Sequence, residues 1–163
     1  MKKLFIIVVM FISIFSLTGC DGSEEVANND FVTVQANEDG NIIIDTKDIT
    51  SVATFVNYKV DDIDRTIIQF IVVRGTDGKV RIAFNTCQAC NPSPNAYFVQ
   101  IGDYFECQNC GNNFHIDKIG EEKGGCNPAP VEEKEEKENQ IIINSDYVNS
   151  YKEKFRNWNG RVK

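Results

Sequence analysis

Two Cys-x-x-Cys pairs hold most of the chemistry available to this chain. They are Cys87-Gln88-Ala89-Cys90 and Cys107-Gln108-Asn109-Cys110, and sixteen residues separate them. Thiolates two residues apart grip one ion from a tight turn, and a second pair carried in by an intervening hairpin completes a tetrahedron. Gly111 follows the second pair. Glycine accepts positive φ without steric cost, which suits a turn whose backbone N–H groups point at sulfur. A fifth thiol, Cys126, lies in Gly124-Gly125-Cys126-Asn127-Pro128. There glycines let the backbone approach closely and proline stiffens the turn, so Cys126 reads as a positioned thiol, either a ligand or a redox partner. His115, five residues past Cys110, is the only histidine and a further candidate ligand. A lone histidine in a strand-like Asn-Phe-His-Ile-Asp is more commonly a surface or hydrogen-bonded residue.

Spacing removes several assignments. Neither pair is followed by histidine, so covalent c-type haem is not indicated. A Rieske centre needs two histidines. A thioredoxin-type site sits beside a βαβ pattern, which this chain lacks. Paired C-x-x-C motifs also make poor structural disulfides, because closing so short a loop gains little and strains the bridge. What remains is a zinc-ribbon-like or rubredoxin-like four-thiolate site, or an iron–sulfur cluster, with redox-active or structural disulfides as the alternative. A structural zinc site closes at four ligands and would leave Cys126 idle.

The elements that must position these thiols read as β. Phe31–Val34 and Ile42–Ile44 are short apolar runs around the turn-rich Asn37-Glu-Asp-Gly40, and Val52–Val60 alternates. Thr66–Val73 and Lys79–Phe84 flank Gly75-Thr-Asp-Gly78 and predict a central, buried hairpin whose second strand runs into Cys87. Ala96–Gln100 and Tyr104–Cys107 predict a second hairpin that delivers the second pair, with a short strand over Asn113–Asp117. Lys118–Pro130 reads as loop, and the charge run Val131–Asn139 as a solvated loop. Ile141–Ile143 predicts a strand. Ser145 and Asp146 then cap a helix with Val148, Tyr151, Phe155 and Trp158 on one face, ended by Gly160. That stripe is expected to pack on the sheet.

The first residues read as a lipoprotein signal peptide, 1–19. Lys2 and Lys3 precede an apolar run from Leu4 to Phe15, too short for a comfortable membrane span, which needs roughly 20 residues. The run ends in Leu17-Thr18-Gly19-Cys20, which resembles the bacterial lipobox and makes Cys20 the lipidated residue. The alternative is an uncleaved anchor helix; either places the rest of the chain outside the cytoplasm, tethered to a membrane. Residues 20–30 read as a flexible tether, and 31–163 as a single metal-binding domain with its site at 87–130, a charged loop at 131–139 and a strand and helix at 140–160. Removing Lys2 and Lys3 from a net charge of −7 leaves −9. Such acidity repels phosphate backbones and argues against nucleic-acid binding.

Asp77-Gly78-Lys-Val-Arg-Ile-Ala-Phe84, the two C-x-x-C pairs, Tyr97, Glu106, Gly111, Phe114, Ile119-Gly120 and Gly124-Gly-Cys-Asn-Pro-Ala-Pro130 resemble the FtrD-like membrane iron–sulfur proteins. The resemblance covers roughly residues 40 to 160, and the Gly-Gly-Cys-Asn-Pro-x-Pro segment is its most specific mark. It implies an iron–sulfur-containing electron carrier associated with ferrous-iron uptake, with Cys87, Cys90, Cys107, Cys110 and Cys126 as its cysteines. His115 has no counterpart in the family pattern. Fuller members carry several membrane-spanning helices ahead of the cysteine domain, where this chain carries a lipobox.

The expectation is therefore a mostly β (α+β) fold: a small antiparallel domain with a two-knuckle C-x-x-C…C-x-x-C metal site and a C-terminal amphipathic helix. The expected protein is lipid-anchored on the extracytoplasmic face of the cell membrane. It acts in electron transfer or metal handling, beside membrane redox or iron-transport proteins, and the chain carries no residue set for hydrolysis or group transfer. Its cofactor is an iron–sulfur cluster or mononuclear iron, with zinc or copper as alternatives. The rival functions are a structural zinc-ribbon-like interaction module and a thiol–disulfide oxidoreductase.

Overall fold

The apolar runs on either side of Gly75-Thr76-Asp77-Gly78 pair as expected. In the computed structural model, which describes residues 27–162, they form β4 (Ile67–Arg74) and β5 (Val80–Cys87), antiparallel with Phe70 opposite Phe84. Gly78 takes φ +80° in the turn, and Arg81 reaches back to Asp77 at 2.8 Å. These strands sit inside a five-stranded sheet ordered β1-β3-β4-β5-β9. Its other members are β1 (Asp30–Val34), β3 (Thr54–Lys59) and β9 (Pro128–Pro130).

Both faces of this sheet are covered, which is why β3 and β4 are nearly continuous runs of buried residues and not an alternation. On one face Val56, Ile68, Phe70, Val72, Ile82 and Phe84 meet Ile42, Ile44, Ile141 and Ile143. Those isoleucines belong to β2 (Asn41–Asp45) and β11 (Gln140–Asn144), in a small sheet ordered β10-β11-β2 with β10 at Glu135–Lys137. On the opposite face Phe55, Ile71, Val73 and Ala83 meet Phe98, Phe105, Ile116 and Ile119. That layer is a meander of β6 (Phe98–Ile101), β7 (Tyr104–Cys107) and β8 (Asn113–His115). The thiols lie on this second side, where Cys87 and Cys107 are part of the packed cluster.

Among the described residues the fold is mostly β and the pairing antiparallel, with one exception: β1 runs parallel to β3. Four expected boundaries change. Lys118–Pro130 is not all loop, because its end forms edge strand β9, pairing Ala129 with Phe84 and Pro128 with Cys87. Proline has no N–H to donate, so it is tolerated on an edge strand. The charge run 131–139 contains β10, whose glutamates and lysine stay exposed while it pairs with β11. Charged side chains on an edge discourage pairing with other chains. Of the expected tether 20–30, residues 27–29 are fastened: the Ala27 N–H bonds to the Gln100 carbonyl at 3.1 Å, and the Asn29 side chain donates to Gln100 and Ala53. Residues 20–26 of that tether, the signal segment 1–19 and Cys20 lie outside the described residues.

The C-terminal helix is the fourth change. Helix α1 spans only Ser145–Asn149, capped by the Asn144 side chain and not by Ser145 or Asp146, and a 3-10 turn follows at Lys152–Phe155. Its stripe nevertheless does what was expected. Val148 and Phe155 are buried in the core, and the Tyr151 ring stacks on Phe84 at 4.1 Å. Among the described residues no helix is long and apolar enough to cross a membrane.

Candidate metal centre

The last residue of β5 is Cys87 and the last of β7 is Cys107, so each C-x-x-C turn starts on a strand. Both cysteines have 0 % exposure. In each turn a backbone N–H returns to the first cysteine's carbonyl: Asn91 to Cys87 at 3.0 Å, and Gly111 to Cys107 at 2.8 Å. Gly111 takes φ +73°, the left-handed turn its position predicted.

Side-chain bonds bring the two turns together. Asn85, two residues before Cys87, is buried and uses its amide like a strand backbone: Oδ1 accepts from the Phe98 N–H at 2.7 Å, and Nδ2 donates to the Phe98 carbonyl. Phe98 is opposite Cys107 in the β6–β7 ladder. The Cys87 N–H adds a bond to the Ala96 carbonyl at 2.9 Å. Asn85 belongs to a buried polar row in which its Nδ2 donates to Gln69 and Gln69 donates to Asn57, each at 2.7 Å. The Asn85 carbonyl accepts from the Trp158 indole N–H at 2.8 Å, and Trp158 meets Tyr97 edge-on.

Gln88, inside the first turn, secures the fifth thiol. Its backbone N–H donates to the Asn127 carbonyl, its Oε1 accepts from the Gly124 N–H at 2.9 Å, and its amide contacts Asn127 Oδ1. Asn127 Nδ2 in turn bonds the Gly124 carbonyl at 2.7 Å, closing the loop that presents Cys126.

All five thiols are free cysteines, and they gather at one point. Sγ of Cys87, Cys90, Cys107 and Cys126 all lie within 4.8 Å of one another. Measured pairs are Cys87–Cys126 at 3.3 Å, Cys90–Cys107 at 3.9 Å and Cys90–Cys126 at 4.0 Å. Cys110 is exposed and outside this mutually close set, yet its Sγ is 2.7 Å from that of Cys126. The convergence of both pairs was expected; the nearer place of Cys126 in the group was not. His115 is not in the group. It caps the 3-10 turn Ile116–Lys118, its Nδ1 accepting from the Asp117 N–H, and it packs edge-on against Tyr104.

Burial pushes the Cys107 thiol up to about 12, against backbone N–H groups of Asn109 and Cys110 that favour its thiolate. Burial likewise raises Cys90, opposed by the Asn109 side chain, and raises Cys126 further. Cys110 moves the other way, down to about 7, chiefly because the Cys126 thiol donates to it and then because the Asn112 N–H does. Ser93 Oγ donates to Asn109 Oδ1 at 2.6 Å, which fixes that amide. These donors are the N–H groups that tune metal thiolates.

The donor set fits a thiophilic metal. Metal–sulfur bonds of about 2.3 Å in a tetrahedron imply sulfur–sulfur edges of about 3.8 Å, and the measured separations straddle that value. Asn85, Gln88 and Asn109 have no signature beyond proximity to cysteines, Asn85 being also a lone amide in an apolar strand. Residues 50–155, which include both turns and the Cys126 loop, match the family model described as membrane iron-sulfur containing protein FtrD-like. No curated protein and no solved structure matches the chain. With the match extending over most of its length, this chain belongs to the FtrD-like family of membrane iron–sulfur-containing proteins.

Proposed function

We propose that this domain carries single electrons at the outer face of a membrane, in support of ferrous-iron uptake, through iron held by its cysteine thiolates. The observation that carries the reading is the placement of the sulfurs. Cys87 and Cys107 are anchored in the core on two rigid strands, while Cys90, Cys126 and Cys110 lead outward to solvent. Iron on such ligands supplies a one-electron couple. The chain's own residues would set its conditions. The N–H groups of Asn109, Cys110 and Asn112 favour the thiolate forms, and Phe98, Phe105 and Ile116 keep water from the inner side. Ligands fixed by packed strands also move little between redox states, which suits a carrier. Net negative charge favours a partner with a basic docking face.

In this reading Cys20 is the lipid attachment point, and the segment after it tethers the domain near membrane redox or iron-transport proteins. Anaerobic purification followed by metal analysis and a spectroscopic redox titration tests the function. The expected protein is coloured, contains iron, and cycles reversibly between two states differing by one electron. A colourless protein retaining zinc would replace the carrier with a structural module. A metal-free protein whose thiols cycle with dithiothreitol would replace it with a thiol–disulfide oxidoreductase.

A further inference from the structure

Iron–sulfur chemistry takes two forms with different demands on the protein. A single ion collects four sulfurs around one point. A two-iron cluster keeps two thiolates on each iron and a four-iron cube one on each, so in either case sulfurs on different irons lie roughly 6 Å apart. The four mutually close sulfurs here are all within 4.8 Å of one another, and the three measured pairs among them run from 3.3 to 4.0 Å.

The frame resists expansion. Cys87 ends β5 and pairs with Pro128, two residues beyond Cys126. The Gln88 N–H bonds the Asn127 carbonyl, and the Gln88 side chain bonds the Gly124 N–H, so the Cys126 loop is fastened directly to the first knuckle. On the other side Asn85 clamps Phe98, the ladder partner of Cys107. Moving the sulfurs apart by the width of a cluster would break the Cys87–Pro128 pairing, the Gln88 bonds or the Asn85 clamp. Cys110, in contrast, is exposed and outside the mutually close group, against Cys126.

We infer that the centre is mononuclear, one metal ion on the thiolates of Cys87, Cys90, Cys107 and Cys126, with Cys110 an external thiol and not a ligand. This inference deepens the electron-carrier reading and rests on it only for the identity of the metal as iron. The ligand set departs from the one that the two C-x-x-C pairs suggest by themselves. The second pair contributes one sulfur, and the glycine-rich loop contributes the fourth.

The test uses the full chain, purified anaerobically. Iron and acid-labile sulfide are measured on the protein as isolated, and cobalt(II) is titrated into metal-free protein. The expected result is one metal per chain, no acid-labile sulfide, and one cobalt per chain with the intense thiolate charge-transfer spectrum of a tetrahedral four-sulfur site. Cys110→Ser should bind one cobalt with the same spectrum. Cys126→Ser should lose that spectrum, with circular dichroism confirming that the sheets persist. Two or more irons with matching sulfide would overturn the inference, as would loss of the four-sulfur spectrum in Cys110→Ser. Both of those readouts stand even if Cys126→Ser does not fold. A chain that binds one cobalt on four sulfurs but shows no reversible one-electron couple with its native metal supports the mononuclear site while removing the carrier function.

Discussion

The two knuckles share a spacing, a starting point at a strand end and a returning backbone bond, but they do different things with their second cysteine. In the first, Cys90 joins the mutually close sulfurs; in the second, Cys110 is exposed at the edge of that group, its Sγ 2.7 Å from that of Cys126, and Cys126 takes the place within it. The surroundings account for this. The first knuckle is backed by the C-terminal segment, with Asn91 Nδ2 donating to the Lys154 carbonyl and the Asn159 N–H to the Pro94 carbonyl. Gln88 faces the Cys126 loop, whereas Gln108, its equivalent, turns back to the neighbouring Glu106. A C-x-x-C turn therefore fixes its own backbone, and the packing around it decides which sulfurs can share an ion.

The largest effect should come from the residue common to any version of the site. Cys107→Ser is expected to abolish metal retention and loosen the β6–β8 layer, because binding and folding are coupled in thiolate modules. Full metal content by elemental analysis in that variant would remove the four-thiolate model. Next comes the clamp between the knuckles. Asn85→Ala orphans the Phe98 N–H and carbonyl in the core, so denaturant unfolding should show a loss of about 1–3 kcal/mol. A loss within error would mean that the hairpins converge without that clamp.

The asymmetry itself is tested by a matched pair. Gln88→Ala should weaken metal affinity about 10–100-fold, as removal of an orienting partner does, whereas Gln108→Ala should leave it unchanged. Equal effects in a competitive chelator titration would show the two turns to be equivalent after all. The smallest effect concerns the backing of the first knuckle. Asp62 pairs with Lys152 at 2.8 Å, and hydrogen bonding from Lys152 first, then from the Thr66 N–H, lowers its carboxyl to about 2 from 3.8. A carboxyl with a depressed folded pKa contributes stability above its unfolded pKa and loses it as pH falls through the folded one. Lys152→Ala should thus narrow the stability difference between pH 5 and about 2, with metal affinity untouched at neutral pH. An unchanged acid profile by thermal melts would show that the pair contributes nothing.

What the sequence made legible followed from local rules. The β4–β5 hairpin was announced by its apolar runs and Asp77-Gly78, and the β6–β7 hairpin by the runs Ala96–Gln100 and Tyr104–Cys107. The cysteine spacing announced two of the site's three chain segments. Less visible were features decided at long range. Strand β9 is proline-rich and reads as loop until β5 offers it an edge, and β10 is a string of charges until β11 pairs with it. The expected long helix shortened because a stripe of four apolar side chains specifies contact with the sheet and not helix length. The choice between Cys110 and Cys126 lies in Gln88 and Asn127, whose partners are about 40 residues away.

The single tryptophan has a use of its own. Trp158 donates to the Asn85 carbonyl, two residues upstream of Cys87, and leans on the Tyr97 ring. Its emission should therefore act as a built-in gauge of occupancy: a coloured ion at the thiolates will quench it by energy transfer, and a colourless one will leave it bright. Loading and loss of the native ion can then be followed in real time without attaching any dye.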